Sequence, residues 1–238
     1  MIHTKDRVSL ERLRLVPVVP PDVGARPLGK AWGGVRHIDL FDLLMSSCSA
    51  MGWKPREPVA WMNATTRREA VLTFEVSPKG WGEEDLGVWI GTINNTNKDL
   101  ACRLYSGVID CGASIFMRNI FVGMHTKGLL EQLPSKLNDA LTLTNLDIQN
   151  NFLVEINKLK RRYKNKKEID SLLMDCIRGT KISNIFRSDS MSSLVNMFEN
   201  TDGSSWELLK CFSLVNQKVN PIKQIINGKK FYDLVLHS

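Results

Sequence analysis

Apolar residues recur every three or four positions from His37 to Met51, where Ile38, Phe41, Leu44, Met45 and Cys48 form one stripe. That period predicts an amphipathic helix, with Gly52 as its stop. The pattern then switches to alternation. Val59 to Ala64 and Glu69 to Ser77 read as strands joined by a Thr65-Thr66-Arg67-Arg68 hairpin loop. Leu86 to Ile93, Leu100 to Ile109 and Ala113 to Val122 continue the series, with a polar turn from Asn94 to Asp99. Short connections between about five strands predict an antiparallel sheet.

From Thr126 the helical period returns. Leu129, Leu130, Leu133, Leu137 and Leu141 form a stripe that Pro134 either kinks or restarts. Phe152, Leu153, Ile156, Leu159 and Tyr163 form a second stripe, and Ile169, Leu172, Leu173 and Cys176 a third. Residues 180–204 are polar around Leu194, Val195, Met197 and Phe198. Trp206 to Val215 reads as a helix capped by Ser204 or Ser205, and Asn227-Gly228 signals a turn before a strand-like Phe231 to Leu236.

Strands first and helices afterwards define an α+β layout. The expected architecture is an antiparallel sheet of about five strands packed against an N-terminal helix and a C-terminal helical region. Its helix-on-sheet core is expected to contain Phe41, Leu44, Val88, Ile90, Leu104, Phe116 and Leu137. Prolines 17, 20, 21 and 27 alternate with glycines 24, 29, 33 and 34, which reads as a linker. Residues 1–34 are therefore expected to be a basic arm and linker, and 35–125 the helix and sheet. Residues 126–238 would complete the same domain with helices.

At 43% hydrophobic and 24% charged residues, the 238-residue chain has the balance of a folded domain, which excludes a disordered tail or a fibrous rod. No apolar run approaches the ~18 residues needed to cross a bilayer, so no membrane partner is expected. Charges interrupt the first fifteen positions and leave no secretory core, which points to the cytoplasm. The five cysteines, an odd number at wide gaps, are expected to be reduced thiols.

Chemistry-bearing motifs are scarce. There is no Walker A pattern, no G-x-G-x-x-G between strand and helix, no G-x-S-x-G elbow and no C-x-x-C. A non-enzymatic protein without cofactor or metal is the leading expectation. Carboxylates at Glu83-Glu84-Asp85, Asp99 and Asp110 leave a divalent-metal nuclease as an alternative.

Charge is the strongest local signal. Lys plus Arg number 32 against 25 Asp plus Glu, a formal net charge of +7. Seven cations fall within ten residues: Lys158, Lys160, Arg161, Arg162, Lys164, Lys166 and Lys167. With Ile156, Leu159 and Tyr163 at helical spacing on one side, these would form a basic helix face able to neutralise phosphates. Arg67, Arg68, Lys98, Arg103 and Arg118 are candidates on the sheet side. His125 and Lys127 stand where a strand gives way to a helix, a place suited either to an anion or to a cap. Six tryptophans invite base stacking where exposed, although Trp89 is expected in the core and Trp81 nearer the surface.

The order of several segments resembles a phage- and plasmid-encoded protein family of unknown function. Ile90 to Ala101, then Gly107 to Cys111, are similar to that family's central segment with its VCDN-like motif. Met124-His125-Thr126-Lys127 is similar to its KHT signature, Trp206 to Ser213 to its late helix, and His37 to Leu40 to its opening helix. The resemblance covers roughly residues 37–220, with Thr92, Asn95-Thr96 and Gly112 departing from the family's polar positions. It implies a mobile-element setting without assigning a reaction. The expected function is non-enzymatic nucleic-acid binding in recombination, replication or DNA protection, with DNA or RNA as partner and self-association as a further property. A protein-binding inhibitor of a host defence complex is the alternative from another class.

Overall fold

Six strands and eight helices are present in the computed structural model, which describes residues 7–17, 33–78, 81, 86–95, 102–123, 126, 128–178 and 188–238. The strands are β1 (Arg7–Val8), β2 (Arg56–Met62), β3 (Glu69–Val76), β4 (Leu86–Asn95), β5 (Cys102–Asp110) and β6 (Ala113–Gly123). They pair antiparallel in chain order, so the sheet is a simple meander. The helices are α1 (Leu10–Arg14), α2 (His37–Ala50), α3 (Leu129–Asp147), α4 (Leu153–Lys160), α5 (Lys166–Arg178), α6 (Ser188–Phe198), α7 (Ser205–Asn216) and α8 (Pro221–His237). A π-helical turn, Ile148–Phe152, joins α3 to α4.

The fold is α+β, as the order of periods predicts, with one more strand than expected. The addition is β1, which pairs Arg7 with Trp61 and Val8 with Ala60. Residues 7–17 thus lie against the sheet and α2, with Leu13 fully buried.

Alternation along the strands sorts their side chains onto two faces. Ala60, Leu72, Thr92 and Leu104 are register partners on one face, and Val76, Val88 and Val108 extend it. Ile38, Phe41, Leu44 and Cys48 of α2 share its core with Leu133, Leu137 and Leu141 of α3. Trp61, Val71, Trp89, Ile93, Tyr105 and Phe116 form a second cluster on the opposite face, where Ile222 and Ile225 of α8 join them. Phe116 is therefore not part of the α2-side core. It pairs across the sheet with Gly107, the register partner of Trp89, and meets the Trp89 ring edge-on at 4.4 Å.

The β2–β3 loop falls where the sequence places it, whereas Asn94 and Asn95, expected in a polar turn, are buried in β4, and residues 96–99 of that turn lie outside the described residues. Asn63 Oδ1 accepts the Thr65 and Thr66 N–H groups, which shapes the β2–β3 hairpin loop. Cys111 and Gly112 both have positive φ, as the tight β5–β6 hairpin requires.

The C-terminus is a correction. Asn227-Gly228 makes no turn and Phe231–Leu236 no strand, because α8 runs through both. Asn220 caps this helix by accepting the Lys223 N–H, and Pro221 opens it, a favoured arrangement at a helix start. Gly228 is there for space: a Cβ would lie 2.3 Å from Cδ2 of Phe116, so only glycine lets α8 approach β6 this closely. Pro134 does not start a new helix, since α3 continues through it with the proline exposed.

Candidate nucleic-acid interface

The ten residues from Lys158 to Lys167 are not one helix. Helix α4 ends at Lys160, and α5 begins at Lys166. Tertiary pairing stops the first helix. Tyr163 bridges antiparallel to Ser204, with Lys164 N–H donating to Gly203 O at 3.0 Å and Ser205 N–H to Arg162 O at 2.7 Å. The second helix opens with a reciprocal cap: Asn165 Oδ1 accepts the Glu168 N–H, and Glu168 Oε2 accepts the Asn165 N–H.

This break divides the seven cations. Arg162 turns inward and donates to the Leu236 carbonyl at 3.2 Å, satisfying an acceptor left open at the end of α8. Lys164 is half-buried and donates to Ser238 Oγ at 2.9 Å; burial, then the Arg162 charge, lower its pKa. Lys166 pairs with Glu199 at 3.1 Å. Lys158, Lys160, Arg161 and Lys167 remain exposed, with no ion pair among the described residues. Lys158 and Lys160 also suit the negative end of the α4 dipole.

The sheet-side cations do not assemble with them. Arg118 is structural. Its guanidinium bonds Asp147 at 2.7 Å on one edge and grips both Glu155 oxygens on the other, 5.4 Å above the Phe152 ring. Burial opposes its charge, but the hydrogen bonds it donates to Glu155 and Asp147 prevail and raise its pKa. The Tyr232 hydroxyl donates to the same Glu155 carboxylate. Arg118 thus ties β6, α3, α4 and α8 around the π-helical turn and is not available to a phosphate.

Arg67 is exposed in the β2–β3 loop with positive φ, and its carbonyl accepts the Nε2–H of buried His37 at 2.9 Å. Arg68 is half-buried on the same loop. Arg103 is half-buried on β5, where it donates to the Tyr105 hydroxyl at 3.4 Å. Lys98, His125 and Lys127 lie outside the described residues, as do Asp99 and the Glu83-Glu84-Asp85 carboxylates. Asp110 is committed to the Trp206 indole N–H, 2.7 Å away, and faces Lys210 at 3.6 Å. Among the described residues no cluster of His, Cys, Asp and Glu is placed to hold a metal.

Trp89 is in the core and Trp81 nearer the surface, as expected. Trp53, Trp61, Trp89 and Trp206 are buried, and Trp81 is half-buried with its indole donating to Leu86 O at 2.7 Å. Trp32 lies outside the described residues. Tyr163, expected in an apolar stripe, is instead 66% exposed between Arg162 and Lys164. Sequence periodicity concealed it, because its spacing from Leu159 continues a helix that the Ser204 pairing interrupts.

Comparison with protein-family models, curated proteins and solved structures gives no match. The fold class defined here is an α+β protein built on a six-stranded antiparallel meander. No helix among the described residues is long and apolar enough to cross a membrane.

Proposed function

We propose that the protein binds nucleic acid without catalysing a reaction, holding the phosphate backbone at the α4–α5 junction. The observation that carries this reading is the set of four exposed cations, Lys158, Lys160, Arg161 and Lys167, without ion pairs among the described residues, on a chain of net charge +7. Cations free of carboxylate partners can exchange counterions for phosphates, whereas paired ones would first have to break an ion pair. Tyr163 gives the same junction an exposed ring on which a base can stack. The resemblance to phage- and plasmid-encoded proteins supplies the setting: recombination, replication or protection of DNA in the cytoplasm of a host cell.

A second reading, binding to another protein such as a host defence complex or a further copy of itself, is favoured by one observation. Leu143, Leu146 and Val154 are 66%, 50% and 65% exposed along the α3–α4 rod that leads to the junction. Filter binding of labelled DNA and RNA at two salt concentrations separates the readings. Phosphate binding by four cations loses on the order of 100-fold in affinity when salt rises about fourfold, since the slope is about 0.7–0.9 per neutralised phosphate. Binding absent at both salt concentrations, with a protein partner retained, would favour the second reading.

A further inference from the structure

A cleft of about 130 Å³, chemically unlike the cation junction, opens on the sheet face that α8 partly covers. Val71, Trp89, Phe116 and Ile225 line it with apolar surface, and Glu57 and Glu75 bring carboxylates to it. No described Lys, Arg or His lines it, and neither glutamate has an ion pair among the described residues. Glu57 is exposed and Glu75 half-buried, with Arg56 as the register partner of Glu75 across β2 and β3.

Three features show how the cleft is built. Glycines make room for the Trp89 ring: a Cβ at Gly91 would fall 2.4 Å from Cζ3 of Trp89, and one at Gly107 2.9 Å from its Nε1. Gly87 does the same for Glu75, whose Oε1 occupies the space beside it, 2.8 Å from where a Cβ would stand. Glu57 has φ +45°, a left-handed conformation that a side chain's Cβ disfavours. It lies where the β2–β3 register shifts between Arg56 and Val59, an irregularity of the kind that re-aims a side chain. The Trp89 indole N–H, on a residue only 2% exposed, has no acceptor among the described residues.

We infer that this cleft binds a small organic cation, a single aromatic ring bearing an alkylammonium group. The volume is close to the ~150 Å³ of an apolar cavity that holds benzene. The ring would pack against Trp89 and Phe116, and the ammonium would sit at Glu57 and Glu75, where both charge and hydrogen-bond acceptors are supplied. A carboxylate pair on a polar surface would not select for the ring, and an apolar cleft alone would not select for the charge.

Titration of the ¹⁵N-labelled protein with phenethylammonium chloride tests it, with 2-phenylethanol as neutral isostere and phenylacetate as anion. The Trp89 indole resonance, assigned by its loss in Trp89→Phe, should shift saturably with the ammonium ion. The alcohol should bind at least about fivefold more weakly, equivalent to roughly 1 kcal/mol for a partly exposed charge interaction, and phenylacetate more weakly still. Glu57→Gln and Glu75→Gln should each reduce the preference for the ammonium ion while leaving the rest of the spectrum folded. Absence of a saturable shift, or equal affinity for ammonium and alcohol in the unsubstituted protein, would overturn the inference without reference to any variant's folding.

Discussion

Replacing Arg118 with Met separates the cations that fold the protein from those that bind. Methionine keeps the apolar stem over Phe152 and removes the charge. Asp147 and Glu155, each with its side chain 24% exposed, then lose their cation. Removing one partner of a buried ion pair costs about 3–5 kcal/mol, because the other charge is left behind. Two hydrogen bonds soften the loss here. Asn151 still donates to Asp147 at 2.7 Å, and the Tyr232 hydroxyl still donates to Glu155. The partial exposure of both carboxylates works in the same direction, so Arg118→Met should cost about 2–4 kcal/mol. Urea unfolding followed by circular dichroism should show a lower midpoint with an unchanged slope. Adding Glu155→Gln should restore part of the stability, since a stranded charge is removed, and a double-mutant cycle measures that coupling. Nucleic-acid binding of the folded variant should match the unsubstituted protein. A stability change within about 0.5 kcal/mol together with weakened binding would refute the assignment and return Arg118 to the binding surface.

Leu104→Ala should cost about 2–5 kcal/mol in the same unfolding assay, because Leu104 is 1% exposed in the α2-side core; a change within about 0.5 kcal/mol would contradict that placement. His37 is buried, and desolvation lowers its pKa below the ordinary 6.5 despite its bond to the Arg67 carbonyl. The unfolded chain therefore binds this proton more readily. Its contribution to stability is complete above about pH 6.5 and lost as pH falls below it, so His37→Gln should flatten the stability profile between about pH 7 and 5; identical profiles would exclude this role. Of Cys48, Cys102, Cys111 and Cys211, Cys111 is exposed, whereas burial pushes Cys48 and Cys102 up to about 12 and Cys211 to about 11. Alkylation read by peptide mass mapping should label Cys111 first and the other three only on unfolding, and equal rates at Cys48 and Cys111 would contradict the packing.

Local patterns revealed the sheet and α2 because the information there is local. Alternating residues flank turn-forming ones, and the register follows from the hairpins. In α8 two local signals conflict. Asn220-Pro221 and the spacing of Ile222, Ile225, Tyr232 and Val235 favour a helix, while Asn227-Gly228 looks like a turn. The conflict is resolved by the Phe116 ring, more than a hundred residues away in the chain, which needs the missing Cβ. The candidate interface follows the same division. Seven cations in ten residues are plain in the sequence, but their fates are not. Glu199 takes Lys166, the end of α8 takes Arg162, and the Ser204 pairing brings Tyr163 into solvent. Arg118 looks like a surface cation until Asp147 and Glu155 arrive from other elements.

The most direct measurement is the salt dependence of nucleic-acid binding with Lys158, Lys160, Arg161 and Lys167 changed together to Gln. Binding should weaken to a similar degree for unrelated sequences, because cations on phosphates position the protein without reading bases. The slope of log affinity against log salt should fall by about 0.7–0.9 for each phosphate no longer neutralised, roughly 3 in all, with thermal unfolding unchanged to within a few degrees. Unchanged affinity and slope in the folded variant would contradict the proposal and leave the junction as solvated surface.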